Sequence, residues 1–293
     1  MDSSKNIRLS VIIPCFNDGQ FIKEAVASVT ACPEQIYEVI IVNDGSTDLL
    51  TLQVLSELRN SGYQVIDQPN QGAPAARNTG VSLAKGEYIL PLDADNRIRT
   101  SYIYRGIEVL DRHPDVAVVY GDVEHFGEGI HALEELPAFS VPYEAISFEN
   151  GFRAVQRIPN FNLSWLINHN YIDMCAVFRK SVWDECGPYD VNMPFRCYDD
   201  WDLWLSIAKR KHRFYHVPEV LFEYRVRPIS LSTASRSEEK FKVVCRYIAS
   251  KHAAIFPKEY RHYFRLYRSL IRIWSVLQSL LNFQSKKDNQ ELS

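Results

Sequence analysis

The stretch GEYILPLDADN, residues 86–96, decides the fold that we expect for this chain. Residues 88–92 form a short apolar run, typical of a buried strand, which ends in the carboxylates Asp93 and Asp95. Two carboxylates one residue apart repel each other and are costly to desolvate, so a cation or ligand would stabilise them. Two oxygen ligands at one strand end suit a hard divalent metal that also holds phosphate oxygens. The alternative is a solvated turn, because Asp and Asn are common turn residues.

Length and composition bound the class of protein. The chain has 293 residues and 46% of them are hydrophobic, enough for the core of one large α/β domain or two small ones. The net charge of -3 gives no electrostatic reason to expect a nucleic-acid partner. We expect no signal peptide and no membrane span, and therefore a cytoplasmic protein, with peripheral membrane contact left open. The scattered cysteines are expected to be reduced thiols: Cys15, Cys32, Cys175, Cys186, Cys197 and Cys245.

Strand and helix patterns alternate along the first part of the chain. Apolar runs predict strands at residues 9–13, 39–42, 63–66, 88–92 and 116–120, and helical spacing predicts helices near 19–30, 52–58, 74–85 and 100–112. This alternation predicts an α/β fold with a mostly parallel, Rossmann-like sheet flanked by helices. Ligands of such sheets bind beyond the carboxyl ends of the strands, and the segments after the first four predicted strands are all polar.

Two common phosphate-binding patterns do not follow the first strand. Without a GxGxxG fingerprint or a P-loop there, something else must hold any phosphates, and a metal on Asp93 and Asp95 is the obvious substitute. An aspartyl-phosphate phosphatase would place its paired aspartates after the first strand, so the order of elements argues against that class.

Four segments occur in order along this part of the chain: VIIPCFN (11–17), VNDGSTD (42–48), NQGAPAARNTG (70–80) and LDAD (92–95). Together they resemble family 2 glycosyltransferases of the GT-A fold. Shorter matching pieces return at residues 176–180, 187–190, 198–204 and 224–225, whereas residues 121–165 and 234–293 match nothing recognisable. The resemblance implies transfer of a sugar from a nucleotide-diphosphate sugar, expected to be a UDP-sugar, to a carbohydrate or lipid-linked acceptor.

The resemblance also implies a nucleotide site at the first two strand ends. Pro14, Phe16 and Asn17 would line the nucleotide pocket. Asp44 would contact the base or the ribose, where a carboxylate accepts from an N–H or a hydroxyl. An ordinary turn at Asp44 is the alternative.

The third and fourth strand ends would complete this nucleotide site. By the same resemblance, Gly72 and Ala75 would let the backbone approach the nucleotide, and Arg77 would reach the base or the phosphates. Asp93 would hold the ribose or a metal-bound water, and Asp95 would bind the Mg²⁺ or Mn²⁺ that bridges the diphosphate. For Arg77 the alternative is a surface charge on a helix.

The second half of the chain carries three carboxylates among aromatic residues, in YDDWDLWL at residues 198–205. Helical spacing places them at a helix start, where a capping aspartate explains one of the three well. By the resemblance, Asp200 is the base that takes the proton of the acceptor hydroxyl, Asp199 supports the acceptor site and Asp202 is structural. One base and no enzyme nucleophile implies single displacement with inversion, assisted by a metal.

One position departs from the resembled family. Two residues after Tyr224-Arg225 the family often has a histidine, and this chain has Arg227. A guanidinium cannot ligate a cation, but it can grip a phosphate with two N–H groups. We expect Arg227 to bind the diphosphate, with a surface ion pair as the alternative.

The chain is expected to divide into three parts. Residues 1–98 form the nucleotide-sugar half, residues 99–232 the acceptor half with the base, and residues 233–293 a C-terminal helical extension. A basic amphipathic helix expected at 257–283 would lie on a membrane, on its own domain or on a second subunit. A sugar-nucleotide-binding protein without transferase activity and a nucleotidyltransferase are the alternative functions.

Several other residues allow a structural interpretation as well as a functional one. His212 and His216 have HxxxH spacing but lie in an expected strand, which places them ~13 Å apart and makes a shared metal improbable. Asp173 and Asp190 could face the acceptor, with a turn role favoured for Asp190. Seven aromatic residues could stack on sugars or pack in the core: Phe139, Tyr143, Phe148, Phe152, Phe161, Trp165 and Tyr171.

Overall fold

The structure is a computed structural model and describes residues 6–33, 36–130, 143–148, 151–228 and 238–256. Its first compact unit runs from Met1 to Ile248, and a second unit covers Ala249–Ser293. The three-part division at residues 98 and 232 stays a prediction. The helix expected at 257–283 lies outside the described residues. Within the described part of the chain, no helix combines the length and apolarity that a bilayer crossing requires.

The first part of the chain alternates strand and helix, as the apolar periodicity predicts. Its elements are β1 Leu9–Cys15, α1 Gly19–Thr30, β2 Tyr37–Asp44, α2 Leu49–Asn60, β3 Gln64–Gln68, α3 Ala73–Leu83, β4 Tyr88–Pro91, β5 Arg97–Ile98 and α4 Tyr102–Arg112. The strands around the site extend beyond the apolar runs, because parallel neighbours continue to pair with their polar ends.

The second part is less regular. Its elements are β6 Val116–Phe126, β7 Tyr143–Phe148, β8 Gly151–Gln156, α5 Leu163–Asn168, β9 Val177–Arg179, α6 Lys180–Cys186, a 3₁₀ turn at Pro194–Arg196, α7 Asp199–Lys209, β10 Arg213–Arg225 and α8 Glu238–Lys251. The helix expected to begin at the aspartates is α7, and the HxxxH segment leads into β10, with His212 just before the strand and His216 within it.

One sheet joins both parts, in the strand order β3-β2-β1-β4-β9-β6-β10-β5, with β8 and β7 added beside β6. The strands β3, β2, β1 and β4 are parallel, which confirms the predicted class in this half. The other half is mixed, because β9 runs antiparallel to both β4 and β6. The segments after β1 to β4 therefore meet at one edge of the sheet, where the candidate site lies.

Two buried tryptophans fix α7 against the sheet. Trp201 donates from its indole N–H to the Leu166 carbonyl at 2.6 Å, and Trp204 donates to the Ile172 carbonyl at 3.1 Å. The Trp204 ring also meets Phe178 of β9 edge-on, with centroids 6.1 Å apart. Because each buried N–H has a partner, both rings are buried without an unpaired donor, and the start of α7 is held in one position.

The closest approach of α3 to the sheet depends on a glycine. A Cβ atom added at Gly80 would lie 2.3 Å from Cγ2 of Ile12, a fully buried residue of β1. No side chain fits this gap, and this close packing sets how near α3 and its Arg77 lie to the strand ends.

We predict that Gly80→Ala lowers the free energy of unfolding. Alanine in a helix gains ~1 kcal/mol over glycine, but overpacking against Ile12 costs ~1–3 kcal/mol, and the fully buried Ile12 leaves little room for relaxation. Urea unfolding of Gly80→Ala, Ile12→Ala and the double variant checks this. Gly80→Ala should be neutral or stabilising once Ile12→Ala has removed the opposing methyl, and equal effects in both backgrounds would contradict the steric explanation.

Candidate active site

The turn after β4 presents Asp93 and Asp95, and β10 holds it in place. The Asn96 amide donates to the Asp93 carbonyl at 3.0 Å and closes the turn. Arg225 of β10 donates from Nε to the Asp95 carbonyl at 2.9 Å, and its backbone N–H donates to Asn96 Oδ1 at the same distance. The backbone of both carboxylates is thus fixed by a strand more than a hundred residues away in sequence.

Arg77 connects this turn to α7. Its guanidinium donates to Asp93 Oδ1 and to Asp199 Oδ2, each at 2.7 Å, and the arginine is only 5% exposed. Burial lowers the pKa of Arg77 and the charges of Asp199 and Asp93 raise it, with a net upward shift. Because both partners are carboxylates, Arg77 stays charged although it is buried, and it fixes the distance between the β4 turn and the start of α7.

Tyr189 and Asn78 enclose the Arg77 side chain. The Arg77 guanidinium carbon lies 5.9 Å from the centre of the Tyr189 ring. Asn78 donates to the Tyr189 carbonyl at 2.8 Å and accepts from the Tyr189 amide at 2.9 Å. This reciprocal pair holds the ring beside the guanidinium, within the range of a cation–π contact.

Asp95 forms part of a second charged cluster with Asp18 and Arg227. Arg227 donates to Asp18 Oδ1 at 2.7 Å, and its Nε lies 2.9 Å from Asp95 Oδ2. This second contact is an ion pair whose N–H direction does not make a hydrogen bond. Burial and the charge of Asp93 raise the pKa of Asp95 to about 7, against the opposing effect of Arg227. Burial likewise raises the pKa of Asp18, so this end of the sheet carries excess negative charge.

The buried Asp44 anchors the loop that leads into α3. It accepts from the backbone amides of Gln71 at 2.9 Å and Gly72 at 2.7 Å, and from the Gln68 side chain at 2.7 Å. Gly72 has φ +92, in the region that favours glycine, and an added Cβ would lie 2.6 Å from Cδ of Arg196. In this structure the carboxylate of Asp44 shapes the loop at residues 71–72.

Asn17 also holds a loop in place through backbone amides, and it links the segment after β1 to the segment before α2. Its Oδ1 accepts from the amides of Thr47 at 2.8 Å and Asp48 at 3.2 Å. Its own φ of +56 is in the left-handed region, which asparagine tolerates better than most residues. The neighbouring Phe16 is 45% exposed at the same edge.

Asp200 lies in the first turn of α7 and is held from two sides. Its Oδ2 accepts from Asn170 at 3.0 Å, and its Oδ1 accepts from the Trp201 amide at 2.8 Å. Burial and the neighbouring charge of Asp199 raise the pKa of Asp200 to about 7. A carboxyl group with this pKa can accept and release a proton near neutral pH.

A turn with an unfavourable backbone conformation precedes Asp199 and Asp200 at the start of α7. Phe195, Arg196 and Tyr198, all non-glycine, have φ values between +52 and +62 directly before α7. Arg196 also donates to Asn70 Oδ1 at 3.0 Å, which links this turn to the loop after β3. Left-handed backbone at non-glycine residues is unfavourable, so the surrounding packing must enforce it.

Six of the residues predicted from the sequence lie in two groups at one sheet edge. Arg77, Asp93, Asp199 and Asp200 form one group, and Asp95 and Arg227 belong to the other. Asp93 joins them, since its charge raises the pKa of Asp95 on one side and of Asp173 on the other. Pro14 pairs with Val42 inside the sheet, and Ala75 is buried at the start of α3. The proposed nucleotide contacts of these residues and of Arg77 stay predictions.

Two residues near these groups, Asp18 and Asn170, were left out of the predicted site, and Asp173 was named only as a residue that could face the acceptor. Asp18 pairs with Arg227, Asn170 binds Asp200, and burial raises the pKa of Asp173 to about 7. Asp18 lies in the short segment between β1 and α1, so its place after a strand was an available signal. Asn170 and Asp173 lie outside any segment that the resemblance covers, and only the folded chain brings them to α7.

The remaining candidates have separate structural partners. His212 faces Glu185 and His216 faces Asp122, at 3.0 and 2.9 Å, so the two histidines do not share a site. Asp190 accepts from the Asn192 amide at 2.8 Å, the turn role that the sequence favours. Within the described ranges, no three His, Cys, Asp or Glu side chains are arranged as a preformed metal site.

The aromatic candidates divide between core and surface. Phe161 stacks on Phe214 at 4.3 Å and Tyr171 is buried, whereas Trp165 is 46% exposed and lies against His169. Phe139 lies outside the described residues, as do the side chains of Tyr143, Phe148 and Phe152.

A sequence profile for glycosyl transferase family 2 matches residues 10–187, more than half of the chain. The chain belongs to this family. Glycosyltransferase GlyA of Streptococcus pneumoniae is 26% identical over 235 residues, which are 77% of this chain and 31% of that protein. Poly-beta-1,6-N-acetyl-D-glucosamine synthase of Staphylococcus epidermidis is 29% identical over 186 residues, 63% of this chain and 42% of that protein. The chain thus spans less than half the length of these relatives.

Solved structures of another protein have the same fold. A crystal structure of S. aureus TarS 1-349 in complex with UDP-GlcNAc superposes with a TM-score of 0.60, at 20% identity, over 85% of this chain and 69% of that one. The complex of the same protein with UDP gives a TM-score of 0.56 at 21% identity. The GT-A-type α/β sheet with flanking helices is therefore the fold of this chain.

We predict that Arg77→Met destabilises the protein by ~3–5 kcal/mol, because Asp199 would be left buried without its partner. The loss should be smaller at pH 5 than at pH 8, since a protonated Asp199 needs no cation. Urea unfolding at both pH values measures this loss of stability. Arg59→Met is the matched control, because its ion pair with Asp67 is exposed and contributes ~0–1 kcal/mol. An equal, pH-independent loss in both variants would contradict the bridging role of Arg77.

Proposed function

We propose that this chain is an inverting glycosyltransferase that moves a sugar from a UDP-sugar to an acceptor hydroxyl. The observation that carries the proposal is the position of Asp200, a carboxyl with a pKa raised to about 7, linked through Asp199 and Arg77 to the Asp93 turn. Similarity to a synthase of an N-acetylglucosamine polymer and to a protein crystallised with UDP-GlcNAc supports a UDP-sugar as donor and a carbohydrate acceptor.

The residues after β4 fit a divalent cation. Asp93 and Asp95 supply carboxylate oxygens, and phosphate oxygens and water would complete the shell, because no preformed group of three protein ligands is present among the described residues. An all-oxygen donor set suits Mg²⁺ or Mn²⁺, and we assign Asp95 as ligand with Asp93 beside it. When bound, the cation would offset the negative charge of the diphosphate leaving group.

The chain's own residues would place donor and acceptor on opposite sides of the reacting carbon. Asp44 and Asn17 hold the loops that would enclose the nucleotide, with Pro14, Phe16, Gly72 and Ala75 around it. Arg77 fixes the spacing between this donor side and α7. Asp200 then takes the proton of the attacking hydroxyl, and one base with no enzyme nucleophile gives inversion at the sugar carbon.

Asn170 orients the base in this mechanism. Its amide donor holds Asp200 Oδ2, and the Trp201 amide holds Oδ1, so the carboxylate cannot rotate freely. Trp165 is 46% exposed on α5, the helix whose Leu166 carbonyl accepts from Trp201 of α7, and we assign it to the acceptor side. A glycan ring could stack there, which agrees with a carbohydrate acceptor.

A sugar-nucleotide-binding protein without transferase activity is the alternative function. It would bind the donor equally well after loss of the base. A panel of nucleotide sugars, tested for thermal stabilisation and for diphosphate release with Mn²⁺ or with EDTA, identifies the donor and separates binding from turnover.

We predict that Asp200→Asn lowers the turnover rate ~10²–10⁴-fold while donor affinity changes only a few-fold, because the amide cannot take a proton. Diphosphate release and calorimetric titration of the donor measure the two quantities. Asp184→Asn on the exposed surface of α6 is the charge-matched control. If Asp199→Asn is inactive and Asp200→Asn is active, the base is assigned to the wrong residue.

The pH profile tests the same base independently. The base must be unprotonated to act, so kcat/KM should fall about tenfold per pH unit below the raised pKa of about 7 of Asp200. The residual activity of Asp200→Asn should lack this dependence. A profile of the wild-type protein that is flat from pH 5 to 8 would contradict the assignment.

A further inference from the structure

We propose that Arg227 is an internal counter-cation of the Asp95 site, and that a divalent cation binds Asp95 only by displacing the guanidinium. The inference rests on the proposed function only where that function assigns Asp95 to a metal. Sequence analysis assigns Arg227 to the diphosphate. The proposal adds that Arg227 competes with the metal for Asp95.

The two contacts of Arg227 are unequal. The contact with Asp18 is a hydrogen bond of 2.7 Å, whereas Nε approaches Asp95 at 2.9 Å without hydrogen-bond geometry. The pair with Asp95 is therefore held mainly by charge, and a stronger cation can replace it. The pair with Asp18 combines charge and direction, so it can keep the guanidinium nearby after displacement.

The backbone next to Arg227 is held by hydrogen bonds, whereas its side chain is partly exposed. The Val226 amide donates to Phe126 at 2.7 Å and the Val226 carbonyl accepts from Gly129 at 2.9 Å. A Cβ at Gly129 would lie 2.6 Å from the carbonyl carbon of Arg227, which shows how closely these segments pack. The Arg227 side chain is 28% exposed and lies over the Phe21 ring at 5.4 Å. We therefore expect displacement by a metal to move the guanidinium and not this backbone.

Two carboxylates at this edge share one arginine. Arg227 contacts Asp18 at 2.7 Å and Asp95 at 2.9 Å, whereas Arg77 is bonded to Asp93 and Asp199. Arg227 is the arginine that faces both remaining carboxylates. Since it offsets the same charge as a divalent cation would, binding of one must weaken binding of the other.

Two measurable effects of opposite sign follow. Removing the guanidinium should strengthen binding of the metal alone, because its competitor is gone. It should weaken binding of UDP in the absence of metal, because no cation would then face the diphosphate. A residue that only stabilises the fold would weaken both.

The test is titration of the apoprotein with Mn²⁺ alone, followed by the electron paramagnetic resonance signal of free Mn²⁺. We expect Arg227→Met to bind Mn²⁺ at least about tenfold more tightly than wild type, with Arg227→Lys between them, and Asp95→Asn to lose binding. Arg97→Met is the matched control, because Arg97 is 27% exposed at the same strand end but pairs with Glu24 and Glu223. It should leave the Mn²⁺ affinity within about twofold.

Unchanged or weaker Mn²⁺ binding by a folded Arg227→Met would overturn the proposal, and so would an equal gain in Arg97→Met. Thermal unfolding confirms that each variant is folded. If Arg227→Met is unfolded, the Mn²⁺ affinity of Arg227→Lys is compared with that of wild type instead. In a second titration with UDP and EDTA, Arg227→Met should bind at least about tenfold more weakly than wild type. Failure of wild type to bind UDP with or without metal would count against the proposed function and leave the Mn²⁺ result standing.

Discussion

The buried guanidinium of Arg77 is the interaction on which the rest of the site depends. It joins Asp93, at the end of a central parallel strand, to Asp199, at the start of a helix more than a hundred residues later. A buried arginine is tolerated only with charged partners, and the buried Asp199 in turn needs the arginine. The bridge therefore fixes the distance between the two halves of the site, and neither half can move alone.

The remaining features of the site follow from excess negative charge near this bridge. Five carboxylates, those of Asp18, Asp95, Asp173, Asp199 and Asp200, have raised pKa values, with burial as the largest cause in each. Such an arrangement is unfavourable for folding, and it supports the roles proposed for Asp200 as a base and for Asp95 as a cation ligand. Arg227 offsets part of this charge within the chain itself.

The elements around the donor side could be predicted from the sequence because their signals are local. The apolar runs ending in polar residues identify β1 to β4, and the spacing of Trp201, Leu205 and Ala208 identifies α7. The class of fold and the family followed from these segments, and both are confirmed.

What could not be predicted depends on contacts between distant residues. Nothing in the sequence indicates that β9 enters the sheet antiparallel between β4 and β6, because its three residues are too few for a periodic pattern. The pairing of Arg227 with Asp18 spans 209 residues. Likewise, the sequence around Arg77 is consistent with a surface charge on a helix face. Only the fold shows that Arg77 bonds a carboxylate on each side.

A crystal structure of this protein with UDP and Mn²⁺ tests the account most directly. We expect Mn²⁺ within ~2.0–2.6 Å of an Asp95 oxygen, the Arg227 guanidinium on Asp18 and the diphosphate, and Arg77 still bonded to both Asp93 and Asp199. Arg77 released from Asp199 to bind the nucleotide, or Mn²⁺ bound away from Asp95, would contradict it.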